Sequence, residues 1–405
     1  MTAATAAEST FPYERKCPFA PPEQYAELMN ERPVSKVTLA TGLQIWAVTG
    51  YDNIRQLLTD PRVSASRKHE NFPFYFNAPP EFRTETSFIG YDEPEHSQTR
   101  RKAAPMLTNR RVQMLRPMIE KLVDERLEAM RAEGPGVDMH FALSLPVPMT
   151  VICILLGIPH KDHDFFQKNG TTLLGGIASM EERQAALVDV NNYLYDLIKV
   201  KEKEPGDDLI STVIAQYREE GVDYEHRDLV NMCRLLMNGG HETTASMISL
   251  GTACLLENPD QLEKLKKDPE LAVPAVEELV RYLTIGDTAV PRVALEDIEI
   301  AGVTIPAGDG ILCLGLTGNR DPSEYENPDD LILERGKRGH LGFGHGVHHC
   351  IGADLARLEL QIVWTKLFDA FPTLALAKPF EEYGSKEGAI IYGLWGLPVT
   401  WDEPA

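Results

Sequence analysis

The chain has 405 residues, 43% of them hydrophobic and 25% charged, a composition ordinary for a globular protein with a large core. Forty basic against sixty-one acidic side chains leave a formal charge of −21, which argues against nucleic acid or an anionic membrane as the main partner. The longest apolar run, around Val151 to Ile158, is far below the roughly 20 residues needed to span a bilayer, and six cysteines without a C-x-x-C pair read as reduced cytosolic thiols.

Residues 1–12 are mostly small or polar with no basic segment, so a disordered tail is expected there, followed by one domain over 13–405. Lys36-Val37-Thr38-Leu39 and Ile45-Trp46-Ala47-Val48 read as strands of a small sheet, and Asp52 to Leu58 as a helix. Asn71 to Ile89, with Phe72, Phe74, Phe76, Phe82 and Phe88, is a proline-punctuated loop rich in aromatics. His96 and Arg100 stand one helical turn apart, within a basic cluster that continues through Arg101, Lys102, Arg110 and Arg111. The glycine pair Gly175-Gly176, between Leu173 and Met180, suits a hinge. No G-x-G-x-x-G between a strand and a helix and no Walker loop occurs, so no flavin, nicotinamide or nucleotide site is expected.

From His226 to Glu257, Leu229, Cys233, Leu236, Met237, Met247 and Leu250 recur mostly at helical spacing, ending before Pro259. Gly239-Gly240-His241-Glu242-Thr243-Thr244 stands in the middle. Two adjacent glycines cost a helix about 2 kcal/mol relative to alanine. Close helix packing would explain them, and so would a flat ligand approaching the backbone, with a local bulge expected beside Thr243. An acid followed by an alcohol can relay protons. Glu278 and Arg281 lie three apart on an expected helix from Ala275 to Leu283, where an exposed pair would contribute only a few tenths of a kcal/mol.

Near the C-terminus, Phe343-Gly344-His345-Gly346-Val347-His348-His349-Cys350-Ile351-Gly352 holds one cysteine on a glycine-rich loop, and Ala353 to Phe371 reads as an amphipathic helix. Cys350 therefore sits at a helix N-terminus, where orphan N–H groups are expected to lower its pKa. Zinc is an alternative, since His345, His348, His349 and Cys350 crowd four possible ligands into six residues. Structural zinc sites usually draw on separated pairs, and the neighbouring His348 and His349 diverge.

The spacing Phe-Gly-x-Gly-x-His-x-Cys-x-Gly resembles the haem-binding loop of the cytochrome P450 family, with Cys350 as axial ligand, and Gly239 to Thr244 resembles that family's oxygen-activating helix. The resemblance runs from about Cys17 to Trp401. It implies a mainly α fold with small β-sheets and a single large haem-binding domain. The cofactor it implies is heme b, iron protoporphyrin IX, whose axial thiolate favours O–O cleavage, with Phe343, Gly344 and Gly352 around it in the loop and Gly239 and Gly240 across it.

By the same resemblance Glu242 and Thr243 are the catalytic acid and alcohol, and His96, Arg100, Arg292 and His348 contact the haem propionates. Glu278, Arg281 and Arg335 form a buried structural network. Phe88, Ile89, Leu174, Ile177, Leu236, Thr288, Ala289, Val290, Ile391 and Tyr392 line the substrate pocket. The activity implied is monooxygenation, hydroxylating or epoxidising a lipophilic small molecule such as a macrolide, a steroid, another secondary metabolite or a xenobiotic. Electrons would come from a ferredoxin and an NAD(P)H-dependent ferredoxin reductase, the ferredoxin docking over Arg101, Lys102 and Arg111. A cytoplasmic monomer is expected. A peroxide-driven peroxygenase typically lacks the acid–alcohol pair, and a non-enzymatic haem sensor does not need it.

Overall fold

The computed structural model describes residues 11–76, 78, 83–84, 86–174 and 178–402. Helices dominate, and short strands gather beside them in a five-stranded sheet built from β1 (Val34–Thr38), β2 (Gln44–Val48), β3 (Val63–Ser64), β4 (Pro291–Ala294) and β5 (Gly310–Cys313). The order is β1-β2-β5-β4-β3, with Val34 opposite Val48 and Arg292 opposite Ile311. Both faces of this sheet are apolar and buried: Ile45, Ala47 and Leu312 pack into one cluster, and Val48, Ile311 and Cys313 into another. Two two-stranded ribbons pair Ile298–Ile300 with Val303–Ile305 and Ala375–Leu376 with Val399–Thr400.

The helices that place the site are α1 (Tyr51–Thr59), α2 (Glu95–Ala103), α3 (Arg116–Glu133), α4 (Pro146–Leu156), α5 (His163–Leu174), α6 (Met180–Lys203), α7 (His226–Leu256), α8 (Ala272–Leu283) and α9 (Ala353–Ala370). With 31 residues, α7 is about 46 Å long and crosses the core against α4, α6 and α9. It meets α9 closely. A Cβ at Gly251 would lie 2.4 Å from the Trp364 ring, and the Trp364 indole N–H donates to Thr252 Oγ1 at 3.2 Å. The loop before α9 is thereby referenced to the helix that carries Glu242 and Thr243.

Two boundaries and one distortion differ from expectation. Phe11, placed by its sequence in the tail, is buried, and its N–H donates to the Thr38 carbonyl at 2.9 Å; residues 1–10 lie outside the described residues. α8 begins at Ala272, three residues early, because Leu271 and Ala272 already follow helical geometry. α7 carries no bulge. It is α-helical throughout, and the Thr243 hydroxyl donates to the Gly239 carbonyl one turn back. In the aromatic loop Phe72 and Phe88 are buried and Phe76 is exposed, while Phe82 lies outside the described residues, as do Gly175, Gly176, Ile177 and the side chain of Leu174. Among the described residues no helix is long and apolar enough to cross a membrane.

Candidate functional site

Cys350 is held by backbone geometry. Its N–H donates to the Phe343 carbonyl at 2.8 Å, Gly344 N–H to Leu341 at 2.9 Å and His349 N–H to Gly346 at 3.0 Å. Gly346 has φ +70°, and a Cβ there would lie 2.2 Å from the Leu58 carbonyl of α1, so the loop can seat on α1 only with glycine at this position. Cys350 is exposed, whereas Cys153, Cys233, Cys254 and Cys313 are buried. The expected lowering of its pKa is not found. Burial raises it, outweighing the Gly352 N–H and the charges of Arg100 and Arg357. Cys350 as a residue is exposed, yet protein surrounds its thiol over the longer range on which desolvation acts.

The loop is also tied to α8. Glu277 accepts from Arg357 of α9 at 2.6 and 3.1 Å and lies 3.1 Å from the His340 ring, and Arg357 stacks 4.6 Å over Phe343. Burial alone would raise the Glu277 carboxyl, but the bonds to His340 and Arg357 prevail and hold it at about 2. One residue on, Glu278 accepts from Arg281 Nε and Nη2 at 2.8 Å each, from Arg335 Nε at 3.1 Å and from Ile332 N–H at 3.0 Å. Arg281 reaches the carbonyls of Asn319 and Pro328 as well. The three residues expected to form a network are joined, and all of it is scaffold.

Above the loop, two arginines stand without a carboxylate among the described residues. Arg100 donates to the His349 carbonyl at 2.6 Å and Arg292 to the Pro291 carbonyl at 2.8 Å; among the described residues neither has a carboxylate within ion-pair reach. The His96 ring lies 4.1 Å from that of His348 and its Nδ1 meets Glu93, while its Nε2 is buried without a partner. Burial lowers the pKa of both arginines. It also pushes His348 down to about 3, helped by the charges of Arg292, His96 and Arg100. Such a set leaves cationic donors unmatched and fits a ligand that brings its own carboxylates.

The α7 side of the site is open where the sequence is smallest. A Cβ at Gly239 would meet nothing within 4 Å, nor would one at Gly352, although most of α7 is buried. Gly240 is different, since a Cβ there would lie 3.2 Å from Ile152 of α4, so it serves helix packing and not the open side. Glu242 is buried and forms an ion pair with Lys386. Burial raises its pKa above the ordinary carboxylate value, and Lys386 and Ser246 offset only part of that rise.

The residues expected around a substrate divide. Phe88 and Leu236 are buried in the main core and Ile89 is exposed. Ala289 and Ile391 both come near Gly286, and Val290 packs on the sheet core. Thr288 and Tyr392 instead line a cleft of about 420 Å³ with Arg15, Tyr25, Asp287 and Glu387. Tyr392 is drawn there because its hydroxyl donates to Glu387 at 3.0 Å and Arg15 lies 4.4 Å over its ring.

The expected basic patch also changes. Lys102 is buried, paired with Glu220 and 4.7 Å over the Tyr217 ring, and Arg111 pairs with Asp207. Arg101 stays exposed, 3.6 Å from Glu220. The zinc alternative fails on geometry: no three His, Cys, Asp or Glu side chains converge among the described residues, since His348 stacks on His96 and His345 meets Arg55.

Lys386, Glu277, His340 and Arg357 were not legible as site residues. Lys386 lies 144 residues from Glu242 and its segment Gly384-Ser385-Lys386-Glu387-Gly388 carries no periodicity. For Glu277 the doublet Glu277-Glu278 is the available signal, because neighbours on a helix point about 100° apart and cannot serve one partner.

Comparison with known proteins shows what the chain as a whole is similar to. The family model Cytochrome P450 matches residues 174–378. Pentalenic acid synthase of Streptomyces avermitilis is 44% identical over 392 residues, covering 96% of this chain and 97% of the relative. Vitamin D3 dihydroxylase of Streptomyces griseolus is 42% identical over 399 residues, covering 96% of each. The crystal structure of cytochrome P450 MoxA from Nonomuraea recticatena superposes with a TM-score of 0.93 at 44% identity, over 98% of this chain and all of that one.

Proposed function

The chain belongs to the cytochrome P450 family and is a haem-dependent monooxygenase, and from that premise we propose that it hydroxylates a lipophilic small molecule, with Cys350 as the iron ligand and Glu242 and Thr243 as its proton carriers. The observation that carries the residue assignment is the conjunction of an exposed cysteine, an open glycine on α7 and two arginines without a carboxylate among the described residues. Heme b, when bound, supplies activation of dioxygen at a thiolate-held iron. The chain's own residues do the rest. Arg100, Arg292, His96 and His348 would hold the two propionates, and the missing side chains at Gly239 and Gly352 leave room for the ring. Glu242 is a buried carboxylate able to take up and pass on a proton, and Thr243, one residue on, presents a hydroxyl whose own proton is parked on the Gly239 carbonyl.

Two relatives take their names from pentalenic acid and vitamin D3, which supports a hydrophobic, largely alicyclic substrate. The chain carries no nucleotide motif, which supports a ferredoxin and a ferredoxin reductase as electron donors, and six unpaired cysteines support a cytoplasmic setting. The reduced protein with carbon monoxide should show the long-wavelength Soret band of a thiolate-ligated haem, and Cys350→His should lose it. Retention of the band in Cys350→His would refute the ligand assignment. A screen of lipophilic compounds for a Soret shift would then identify the substrate class.

A further inference from the structure

Glu242 is controlled from a distant part of the chain. Lys386 belongs to a hairpin in which Ser385 bridges Leu394, Lys386 N–H donates to the Gly393 carbonyl at 2.8 Å and Trp395 N–H to Gly384 at 2.9 Å. The hairpin lies directly on α7: a Cβ at Gly393 would come within 2.6 Å of Ser246 Oγ, one turn beyond Glu242. Between Gly384 and Ile390 only Lys386 is buried, with 2% of its surface exposed, while Glu387 to Ile390 face solvent. The side chain of Lys386 therefore runs inward alone, past the Trp395 ring at 5.6 Å, and ends on Glu242.

Among the described residues nothing else supplies a positive charge there. His241, beside Glu242 on α7, and His140, bonded at 2.8 Å to Ser249 from the segment before α4, are both buried and neutral, pushed down to about 4 and about 3 by burial and then by the charge of Lys386 itself. Glu387 turns away to Ser385 and Tyr392. A buried carboxylate with one ammonium partner keeps its charge only while that partner stays.

We propose that Lys386 is a positioning residue for the proton relay: it holds Glu242 ionised and fixed, so that a proton passes through Glu242 only when the Lys386 contact loosens. This rests on the reading of Glu242 as a proton carrier. When the contact loosens, the carboxylate takes one proton from water, leaving hydroxide to the solvent, and gives it up toward Thr243, so the residue returns to its starting charge. The hairpin that carries Lys386 also carries Ile391, whose Cδ1 approaches Gly286.

The test uses the haem-loaded enzyme and infrared difference spectra between acidic and neutral pH. Lys386→Met should raise the proton affinity of Glu242 at least about tenfold, one pH unit or more, so that a protonated carboxylic-acid C=O band persists to higher pH. The band should vanish again in Lys386→Met/Glu242→Gln and be absent near neutrality in Lys386→Arg, which keeps the charge. A lysine that only braces the hairpin would change thermal stability in Lys386→Met without moving this titration. An unmoved titration in the folded Lys386→Met variant would overturn the proposal, as would an equal shift in Lys386→Arg. The reading of Glu242 as proton carrier fails separately, if Glu242→Gln leaves product formed per NAD(P)H unchanged.

Discussion

Two buried carboxylates, Glu278 on α8 and Glu242 on α7, have surroundings that differ in kind. Glu278 accepts four hydrogen bonds, three from two guanidinium groups and one from a backbone N–H, and its arginines are anchored again on carbonyls. Glu242 meets one ammonium group on a flexible stem. Four rigid donors make a carboxylate permanent, which suits a scaffold. One flexible donor leaves a carboxylate able to change its proton, which suits a relay.

Breaking the rigid side should have the largest effect. Glu278→Gln leaves Arg281 buried with an uncompensated charge, so a loss of about 3–5 kcal/mol is expected. Chemical unfolding and haem retention would measure it; a loss below 1 kcal/mol would mean that the network is replaceable. The neighbouring Glu277 sharpens the same point through pH. Its folded-state pKa of about 2 lies below an unfolded value of about 4.3, so its stabilisation, about 3 kcal/mol, is present above pH 4.3 and disappears as pH falls through 2. Glu277→Gln should lower stability at pH 7 by about that amount and flatten the dependence between pH 4 and 2. A wild-type slope retained in the variant would place the acid sensitivity elsewhere.

The flexible side should behave in the opposite way. Thr243→Ala removes a half-buried hydroxyl that bonds only its own helix, so stability should move by less than about 1 kcal/mol. Coupling should suffer instead. NAD(P)H consumption continues while hydrogen peroxide replaces hydroxylated product, with a drop in product per NAD(P)H of roughly tenfold or more. Unchanged coupling with a verified substrate would remove Thr243 from the relay.

What could be read in the chain follows the same division. Periodic elements were legible: α7, α9, β1 and β2 lie within a few residues of their expected bounds because burial imposes a period. Cys350 was legible because glycines, a cysteine and a helix start fall within ten residues. Lys386, Arg357 and His340 were not, since each acts through a partner tens of residues away and a lone charged residue has no pattern. Lys102 failed for the converse reason. In sequence it belongs to a run of cations, but on α2 it points inward to Glu220 and Tyr217 while Arg101 points out.

That split of the basic run leaves a smaller prediction about the electron donor. With Lys102 buried and Arg111 paired with Asp207, Arg101 is the exposed cation among the three, 63% of its side chain open to solvent. Its helix α2 also carries Arg100, which reaches the carbonyl of His349 next to Cys350, so the charge stands on a helix that touches this loop. A single exposed charge acts on association and is screened over about 10 Å at 0.1 M salt. Arg101→Glu should therefore slow reduction by an acidic ferredoxin roughly threefold at low ionic strength, with the difference shrinking as salt is added and Soret shifts on substrate binding unaffected. Equal reduction rates for both proteins at low salt would mean that the donor approaches by a surface away from α2.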